Sequence, residues 1–349
     1  MMAKSQIIVN AEHRYAIQIG ESWLERIQVI AEPHNLVLVL IPEDVDRESG
    51  IAKYLQDLGS KYEIVRLPNG EAQKSFKVFQ SIIDICGRIN LSRSDLIIGI
   101  GGGATTDLAG FVAATWLRGL DWVAVPTTLA GMVDAAIGGK TGINSEHGKN
   151  LVGAFHSPVE VIVDLEFLQS LSKRDQSAGL AEVIKCGFIA DPSILQDLNG
   201  SEIDYAKLIM KSVAVKGAVV SGDFKEAFAR EILNYGHTVG HAIEMHSSYK
   251  LRHGEAVAIG MVFAAELSNA HGTLNAKDVA LHRELASKFD LPIQYPRAAW
   301  SAVYSNLTRD KKNRGGKIRF VTLKAPGVTD RLEVVSENLL REIYERICE

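Results

Sequence analysis

Residues Asp95–Leu117 read DLIIGIGGGATTDLAGFVAATWL, an apolar run that passes through clustered glycines into a stretch of helical periodicity. The run Asp95–Ile100 has the length and composition of a buried strand, and a helix is predicted from about Asp107. Glycines between a strand and a helix let backbone N–H groups approach a pyrophosphate, whose charge the helix N-terminus favours. Because the spacing is not GxGxxG, the segment predicts either a phosphate or dinucleotide site or a tight turn capped by Asp107.

Strands and helices alternate on both sides of this segment. Buried strands are predicted at 36–41, 62–67, 122–125 and 159–163, with a helix over 74–88. From about residue 172 the pattern predicts helices over 176–190, 202–221, 230–247, 254–271 and 276–289, then a hairpin of 319–323 with 331–335 and a last helix over 336–348. The sequence therefore predicts a Rossmann-like α/β domain with a parallel sheet over 1–172 and a mostly α-helical domain over 173–349.

The composition is that of an ordinary globular protein. Its 349 residues are 46% hydrophobic and 23% charged, with a net charge of -4, so neither nucleic acid nor an anionic membrane is indicated as a partner. Cys86, Cys186 and Cys348 form no CxxC pair, which predicts a reducing compartment and argues against a thiolate zinc site. With no signal peptide and no apolar run of about 18 residues, we expect a cytoplasmic protein that does not span a membrane.

A histidine cluster lies in residues 233–261, LNYGHTVGHAIEMHSSYKLRHGEAVAIGM. His237 and His241 are one helical turn apart, Glu244 shares their face, and His253 follows. Imidazoles with this spacing can share a metal ion or pass a proton, although a single histidine is more often a satisfied core residue.

Two further features bear on this cluster. Gly236 and Gly240 lie beside the histidines, and because a helical glycine costs about 1 kcal/mol relative to alanine, they suggest close approach of another backbone. Glu182 and Lys185 share a face of the apolar segment GLAEVIKCG. They form either a surface ion pair or, with Glu182 as oxygen ligand, part of a His/His/Glu metal site.

A second group of polar residues surrounds the glycine-containing segment Gly138–Thr141. This segment is similar to the end of a Walker loop, but Asp134 occupies the position of the first glycine, so an NTPase is excluded. The remaining group combines Lys140 with Arg118, Asp134, Lys149 and Asn150, and is either a ligand site or a solvated loop face.

Several other polar residues read, one by one, as ordinary caps or surface charges. Thr127 and Thr128 follow a strand end, where hydroxyls can hold a ribose or a nicotinamide amide or can simply cap a turn. Lys216, Arg230 and Asn234 precede the histidines, and Lys312 lies in a glycine-rich loop before the hairpin.

Taken together, these segments resemble the 3-dehydroquinate synthases of the sugar-phosphate cyclase family. The similarity extends from about residue 70 to 325 and rests on GGGATTDLAGFVAATWLRG, VPTTLAGMVDAAIGGKTGIN, GKNLVGAF, SAGLAEVIKCG, REILNYGHTVGHAIE, HGEAVAIGM and DKKNRGGKIRFV. The sequence departs from the family pattern at Ala104–Thr106, where a hydrophobic-Gly version is commoner, and at Ser170, where threonine is common.

The resemblance implies a phosphate-eliminating carbon–oxygen lyase in the second step of the shikimate pathway to chorismate and the aromatic amino acids. In that reaction NAD oxidises C5 of 3-deoxy-D-arabino-heptulosonate 7-phosphate, which acidifies the C6 proton so that phosphate leaves from C7. NADH then reduces C5, the ring opens, and an intramolecular aldol reaction closes the ring of 3-dehydroquinate. A divalent metal, Zn2+ with Co2+ as alternative, polarises the oxidised hydroxyl.

The resemblance also implies roles for individual residues. The metal ligands are Glu182, His237 and His253, with His241 in proton transfer. The catalytic set is Lys140, Lys185, Lys216, Arg230, Asn234 and His241, and the substrate set is Arg118, Asp134, Lys140, Asn150 and Lys312. The NAD contacts are Glu71, Lys74, Gly103, Ala104, Thr105, Thr106, Asp107, Thr127, Thr128, Lys140, Lys149, Phe167, Leu168, Gln169 and Ser170.

Three other functions compete with this interpretation. A sister cyclase would make another carbocycle. A polyol dehydrogenase would release NADH and would not need the anion-binding residues Lys140, Asn150, Arg230 and Lys312. A non-catalytic metal or nucleotide sensor would need no proton-transfer histidine. The expected partners are a small sugar-phosphate substrate and, as the family suggests, a second copy of the chain in a homodimer.

Overall fold

The computed structural model describes residues 4–59, 61–313, 318–333 and 336–348, without the side chains of 309–313. The chain divides into two compact units, Met1–Leu171 with Lys216–Lys225, and Ser172–Val215 with Glu226–Glu349. Among the described residues no helix is both long enough and apolar enough to cross a membrane.

The first unit is built on a seven-stranded sheet and a separate two-stranded hairpin. The strands are β1 (Ser5–Asn10), β2 (Arg14–Ile19), β3 (Val37–Pro42), β4 (Tyr62–Leu67), β5 (Leu96–Gly101), β6 (Trp122–Pro126), β7 (Lys140–Ser145), β8 (Gly148–Phe155) and β9 (Glu160–Val163). The sheet has the order β1-β2-β9-β6-β5-β3-β4, and β7 and β8 form the hairpin. The predicted parallel sheet is confirmed for every neighbouring pair except the antiparallel β1 and β2. The fully buried β3 and β5 occupy its interior because both of their faces are apolar.

Five helices of the first unit accompany these strands: α1 (Trp23–Ala31), α2 (Glu43–Ser49), α3 (Ile51–Asp57), α4 (Phe76–Arg88) and α5 (Gly103–Thr115). The predicted start of α5 at Asp107 is wrong, since the helix begins within the glycine cluster. A Cβ at Gly99 would lie 2.6 Å from Ala109 Cβ, and one at Gly101 would lie 2.3 Å from Thr105 Oγ1. These two glycines are therefore needed to let β5 and α5 pack closely.

The hairpin of β7 and β8 replaces the glycine loop that was expected around Lys140. Lys140 is the first residue of β7, and its Cα partner across the hairpin is Phe155. Gly142 and Gly153 face each other, and a Cβ at Gly153 would lie 2.2 Å from Thr141 O. The hairpin was missed because its strands are short and rich in glycine, so they lack a clear two-residue alternation.

The second unit is mostly helical, as predicted. Its helices are α6 (Lys173–Ile189), α7 (Ser193–Asn199), α8 (Tyr205–Gly222, whose end belongs to the first unit), α9 (His237–His246), α10 (His253–Ala270), α11 (Ala276–Lys288), α12 (Trp300–Asn313) and α13 (Glu337–Glu345). Strands β10 (Arg319–Ala325) and β11 (Val328–Glu333) form its hairpin. Lys312 therefore has helical backbone at the end of α12 rather than the expected loop conformation, while its side chain lies outside the described residues.

The single helix predicted over 230–247 is wrong. The chain forms a 3-10 turn at Ala229–Asn234, and α9 starts only at His237, because Gly236 adopts a left-handed conformation with φ of 78°. A Cβ at Gly236 would lie 2.6 Å from Met261 Cγ, so the position requires glycine for space as well as for backbone conformation.

Small residues bring α9 and α10 into close contact. A Cβ at Gly260 would lie 1.9 Å from Gly236 O, and one at Gly240 would lie 3.2 Å from Ala256 O. At the start of α10, a Cβ at Gly254 would lie 1.8 Å from Ala178 O of α6. The expected close approach is therefore present, and it holds three helices together at the positions that carry the histidines and Glu182.

Candidate active site

Three side chains from three helices of the second unit converge on one point. Glu182 extends from α6, His237 from the start of α9 and His253 from the start of α10. The Oε1 atom of Glu182 lies 3.6 Å from His237 Nε2 and 3.4 Å from His253 Nε2. One carboxylate oxygen and two imidazole nitrogens are a donor set typical of a zinc site.

The second ring nitrogen of each histidine has its own partner. His237 Nδ1 lies 3.1 Å from the carbonyl oxygen of Tyr235, and His253 Nδ1 lies 3.1 Å from Glu244 Oε2. Because both partners are acceptors, each Nδ1 carries a proton, which leaves Nε2, the nitrogen on the Glu182 side, as the atom available to a metal ion.

His241 lies one turn along α9 from His237 and is the most exposed of the three histidines. Ligand atoms of His237, His241 and His253 lie within 4.8 Å of one another, so the three could also hold a metal ion. The ring centroid of His241 is 5.3 Å from that of His237 and 5.8 Å from that of His253. Geometry alone thus leaves His241 as either a fourth donor or a proton-transfer group.

The charge of Glu182 is buried, with only 1% of its side chain exposed. Among the described residues none donates a well-formed hydrogen bond to either carboxylate oxygen, although Lys185 Nζ contacts Oε2. Burial would raise the pKa of Glu182, but Lys185 and the charges of His237 and His253 hold it well below its ordinary value. A divalent cation fits this position, since it would satisfy buried oxygens that the protein leaves without hydrogen bonds.

These surroundings shift the pKa of His237 and the pKa of His253 in opposite directions. Burial and the nearby Lys185 ammonium hold the pKa of His237 well below its ordinary value, which keeps the ring neutral as a metal ligand requires. Burial also opposes the charge of His253, but the neighbouring carboxylates of Glu182 and Glu244 raise its pKa to about 10.

The turn before α9 carries two of the predicted catalytic residues. Arg230 is 2% exposed, and Asn234 Nδ2 donates to Glu226 Oε1 at 3.1 Å. Between them, Glu231 accepts hydrogen bonds from Arg331 at 2.7 Å and from Arg319 at 3.3 Å. The β10–β11 hairpin thereby holds the turn in place.

In the first unit, α5 begins within the segment for which a phosphate site was predicted. Thr105 and Thr106 donate their N–H groups to Gly102 O. Within the described residues, the N–H groups of Gly103 and Ala104 donate no hydrogen bond and lie at the positive end of the helix. The helix can therefore offer two backbone donors to an anion.

The two threonines that follow β6 form hydrogen bonds with nearby backbone groups. Thr127 is buried, and its N–H donates to Gly101 O at 2.9 Å. The hydroxyl oxygen of Thr128 accepts from Gly131 N at 3.1 Å. Gly131–Ala135 then forms a single π-helical turn, a conformation that often occurs at functional sites.

A polar network surrounds the buried side chain of Lys74. This side chain is 3% exposed, and its Nζ contacts Asp107 Oδ2 at 2.5 Å as well as Asn150 Oδ1. Asn144 extends the network, because its Nδ2 donates to Glu71 Oε1 at 2.8 Å and its Oδ1 accepts from Asn150 N at 3.0 Å. Asn144 was not predicted, since nothing in its local sequence shows that β7 brings it to Glu71.

Asp134 and Lys216 form a second ion pair in the first unit. Lys216 Nζ lies 2.6 Å from Asp134 Oδ1, and the lysine side chain is 7% exposed. The pair joins the π-helical turn to the last part of α8, 82 residues later in the chain. Both partners belong to the first unit.

The other predicted residues lie on the surface or at turns. Lys140 and Arg118 are exposed, and Arg118 has a left-handed backbone with φ of 70°. Lys149 Nζ lies 4.0 Å from Glu71 Oε2. Phe167–Ser170 belongs to a 3-10 turn in which Leu168 is buried while Gln169 and Ser170 are exposed.

Two family patterns and many curated relatives match this chain. The family pattern described as 3-dehydroquinate synthase N-terminal matches residues 64–178, and the one described as 3-dehydroquinate synthase C-terminal matches residues 179–313. The 3-dehydroquinate synthase of Corynebacterium jeikeium (strain K411) is 47% identical over 320 residues, which cover 89% of this chain and 86% of the relative.

Solved structures show the same fold. A 2-deoxy-scyllo-inosose synthase complexed with carbaglucose-6-phosphate, NAD+ and Co2+ has a TM-score of 0.87 at 26% identity, covering 99% of each chain. The 2-epi-5-epi-valiolone synthase of Streptomyces hygroscopicus subsp. jinggangensis 5008, with NAD+ and Zn2+ bound, has a TM-score of 0.87 at 22% identity, covering 98% of this chain and 99% of that chain. The fold is thus that of the sugar-phosphate cyclases.

Within that class the assignment is narrower. The two family patterns together span most of the chain, and the relative from Corynebacterium jeikeium is 47% identical over 89% of it. The chain belongs to the 3-dehydroquinate synthase family.

Proposed function

We propose that this chain converts 3-deoxy-D-arabino-heptulosonate 7-phosphate to 3-dehydroquinate and phosphate, with NAD and one divalent metal ion as cofactors. The observation that carries the proposal is the convergence of Glu182, His237 and His253 beside a buried Lys185. Family membership supports the same reaction. NAD and a metal ion, Co2+ or Zn2+, are bound by the related cyclases.

The second unit supplies the metal ligands. Glu182, His237 and His253 would hold the ion, which when bound stabilises negative charge on the substrate hydroxyl oxygen by several kcal/mol. Lys185 contacts Glu182, so the lysine balances part of the negative charge that the carboxylate would otherwise offer to the metal ion. His241, more exposed and adjacent to the ligands, can accept or donate the proton of that hydroxyl.

The first unit supplies the nucleotide-binding groups. The N–H groups of Gly103 and Ala104 would bind the NAD pyrophosphate, and the network of Glu71, Lys74 and Asp107 would hold the adjoining part of the cofactor. NAD held by these residues would supply a reversible hydride acceptor, which would make the C–H next to the oxidised carbon of the substrate acidic.

Cations and amides would bind the substrate's carboxylate and phosphate. We assign this role to Arg118, Lys140, Asn150, Lys216, Arg230, Asn234 and Lys312, with Asp134 holding Lys216 at 2.6 Å. Two anionic groups on one small substrate require several fixed positive charges.

Oligomeric state and location complete the proposal. We expect a homodimer in the cytoplasm, as the family suggests and as the three free cysteines of the described chain allow. Sedimentation of the zinc-loaded protein at micromolar concentration would measure the mass, and a monomer would contradict the expectation.

One assay tests the function directly. Protein stripped by a chelator and restored with zinc is mixed with 3-deoxy-D-arabino-heptulosonate 7-phosphate and trace NAD, while phosphate release and NADH absorbance are followed together. Many phosphates per NAD without lasting NADH are expected. No phosphate release would point to a sister cyclase, and NADH accumulating from a simple polyol would point to a dehydrogenase.

A further inference from the structure

Glu244 is a buried carboxylate to which the proposed reaction assigns no role. It is 5% exposed, and its Oε2 atom lies 3.1 Å from His253 Nδ1. Glu182 approaches the opposite nitrogen of the same ring, with Oε1 3.4 Å from Nε2. The imidazole of His253 is therefore held between two carboxylates, of which only Glu182 faces His237 as well.

The position of Glu244 follows from the packing of α9 against α10. Successive turns of α9 contact successive turns of α10 in reverse order: Gly236 with Gly260, Gly240 with Ala256, and Glu244 with His253. The two glycines allow the helices to come close, and Glu244 occupies the next turn, where a long polar side chain can reach the first residue of α10. The same face of α9 carries His237 and His241.

The two histidines are supported differently at Nδ1. His237 donates to a backbone carbonyl, that of Tyr235, whereas His253 donates to a carboxylate. A carboxylate acceptor fixes the tautomer as a carbonyl does, and in addition its charge makes the opposite nitrogen a stronger electron donor to a metal ion. His253 is also 39% exposed in its side chain, so neighbouring groups restrict its ring less than they restrict that of His237, at 10%.

We propose that Glu244 is a positioning residue that orients His253 and strengthens it as a metal ligand. The inference rests on the proposed metal site. It adds that α9 contributes to metal affinity twice, through His237 directly and through Glu244 acting on the histidine of α10.

The test measures metal binding rather than turnover. Zinc affinity of the Glu244→Gln and Glu244→Ala variants would be determined by competition with a chromophoric chelator, and the visible spectrum of the Co2+-loaded protein would report ligand geometry. We expect about 10- to 100-fold weaker zinc binding for Glu244→Ala, with Glu244→Gln intermediate because its amide oxygen still accepts from Nδ1. The Co2+ spectrum of Glu244→Ala should also shift.

Glu266→Gln is the matched control. Glu266 lies on α10, is 13% exposed in its side chain and accepts from Arg283 at 2.9 Å and Arg346 at 3.2 Å. A structural role alone would lower the unfolding temperature of the metal-free protein in both variants and leave zinc affinity and the Co2+ spectrum unchanged.

Two results would overturn the inference. One is a zinc affinity of Glu244→Ala within twofold of the unaltered protein, and the other is an equal loss in Glu266→Gln. His253→Ala separates this failure from failure of the metal site itself. If His253→Ala binds zinc normally, the proposed ligands are wrong, whereas loss in His253→Ala without loss in Glu244→Ala rejects only the role of Glu244.

Discussion

Glu182 and Lys185 are fully enclosed opposite charges, one turn apart on α6, with side chains 1% and 2% exposed. Removing one member of a buried pair leaves the other without compensation, which typically costs about 3–5 kcal/mol. A metal ion at Glu182 would supply positive charge in place of the lysine. Charge balance at Glu182 would therefore link metal binding to the stability of the second unit.

Lys185→Met tests that link. In metal-free protein we expect the free energy of unfolding to fall by about 3 kcal/mol, and saturating zinc should restore a large part of the loss. Urea denaturation with and without zinc measures both quantities. An equal loss in the two conditions would show that zinc does not bind at Glu182.

His237→Ala and Lys216→Ala should separate metal binding from turnover. His237→Ala removes a ligand atom 3.6 Å from Glu182 Oε1, so zinc and activity should be lost together. Lys216 pairs with Asp134 within the first unit and is not a proposed metal ligand, so Lys216→Ala should keep one zinc per chain while losing turnover by about 100-fold or more. Metal content by atomic emission together with the phosphate-release assay checks both. Full zinc in His237→Ala would contradict the ligand assignment.

His282 predicts a specific pH dependence of stability. Its Nδ1 donates to Asp278 O at 2.7 Å, its Nε2 accepts from Tyr235 OH at 2.8 Å, and its ring stacks on Phe188. Burial lowers its pKa from 6.5 to about 4. Between these two pH values the unfolded chain binds a proton at His282 that the folded chain does not bind. The contribution of His282 to the free energy of unfolding is therefore fully present above about pH 6.5 and is lost as the pH falls from 6.5 to 4.

The contribution of His282 over that interval is about 3 kcal/mol. Urea denaturation at several pH values should show the decline, and the zinc-free protein is used throughout so that metal release does not contribute. In His282→Gln the slope between pH 6.5 and 4 should decrease by the equivalent of about one proton. An unchanged slope would mean that His282 is not held neutral.

At the level of elements, glycines decide where the helices lie. Gly260 allows α10 to contact the backbone of Gly236, while Gly254 allows it to contact Ala178 of α6. These two contacts fix the start and the middle of α10, and hence the position of His253, relative to α6 and α9. The convergence of Glu182, His237 and His253 is therefore a product of helix packing.

Gly260→Ala should displace α10. The added Cβ would lie 1.9 Å from Gly236 O, and because backbone cannot easily move away we expect a loss of about 1–3 kcal/mol in stability together with weaker zinc binding. Gly222→Ala, at the end of α8, is the control, since nothing lies within 4 Å of its Cβ and alanine favours helix. Equal stability and zinc affinity in the two variants would contradict this account of the packing.

The sequence predicted long elements better than short ones. The apolar runs of β3 and β5 and the periodic α10 are recognisable from local pattern, because burial imposes that pattern over many residues. The β7–β8 hairpin and the break at Gly236 were not, since each depends on contacts with residues far along the chain. A glycine shows that backbone can turn or approach, but not which of the two happens.

For the molecule as a whole, the family resemblance could name the residues of the candidate site. It could not identify the other residues that hold those side chains in position. Glu182 and His253 are 71 positions apart, and only the packing of α6, α9 and α10 shows that their side chains face each other. Asn144 and the contact of Glu244 with His253 came from the structure alone. A resemblance transfers the reacting groups, whereas distances and burial identify the residues that hold them.

The course of α8 also limits how the gene can be rearranged. Because Lys216–Lys225 groups with the first unit and Ser172–Val215 with the second, neither unit corresponds to one uninterrupted stretch of the reading frame. A hybrid gene joining two relatives at codon 172 would combine Lys216 of one parent with Asp134 of the other. A hybrid that takes both Lys216 and Asp134 from one parent needs additional junctions on either side of codons 216–225. We therefore expect functional recombinants between diverged relatives to have breakpoints there.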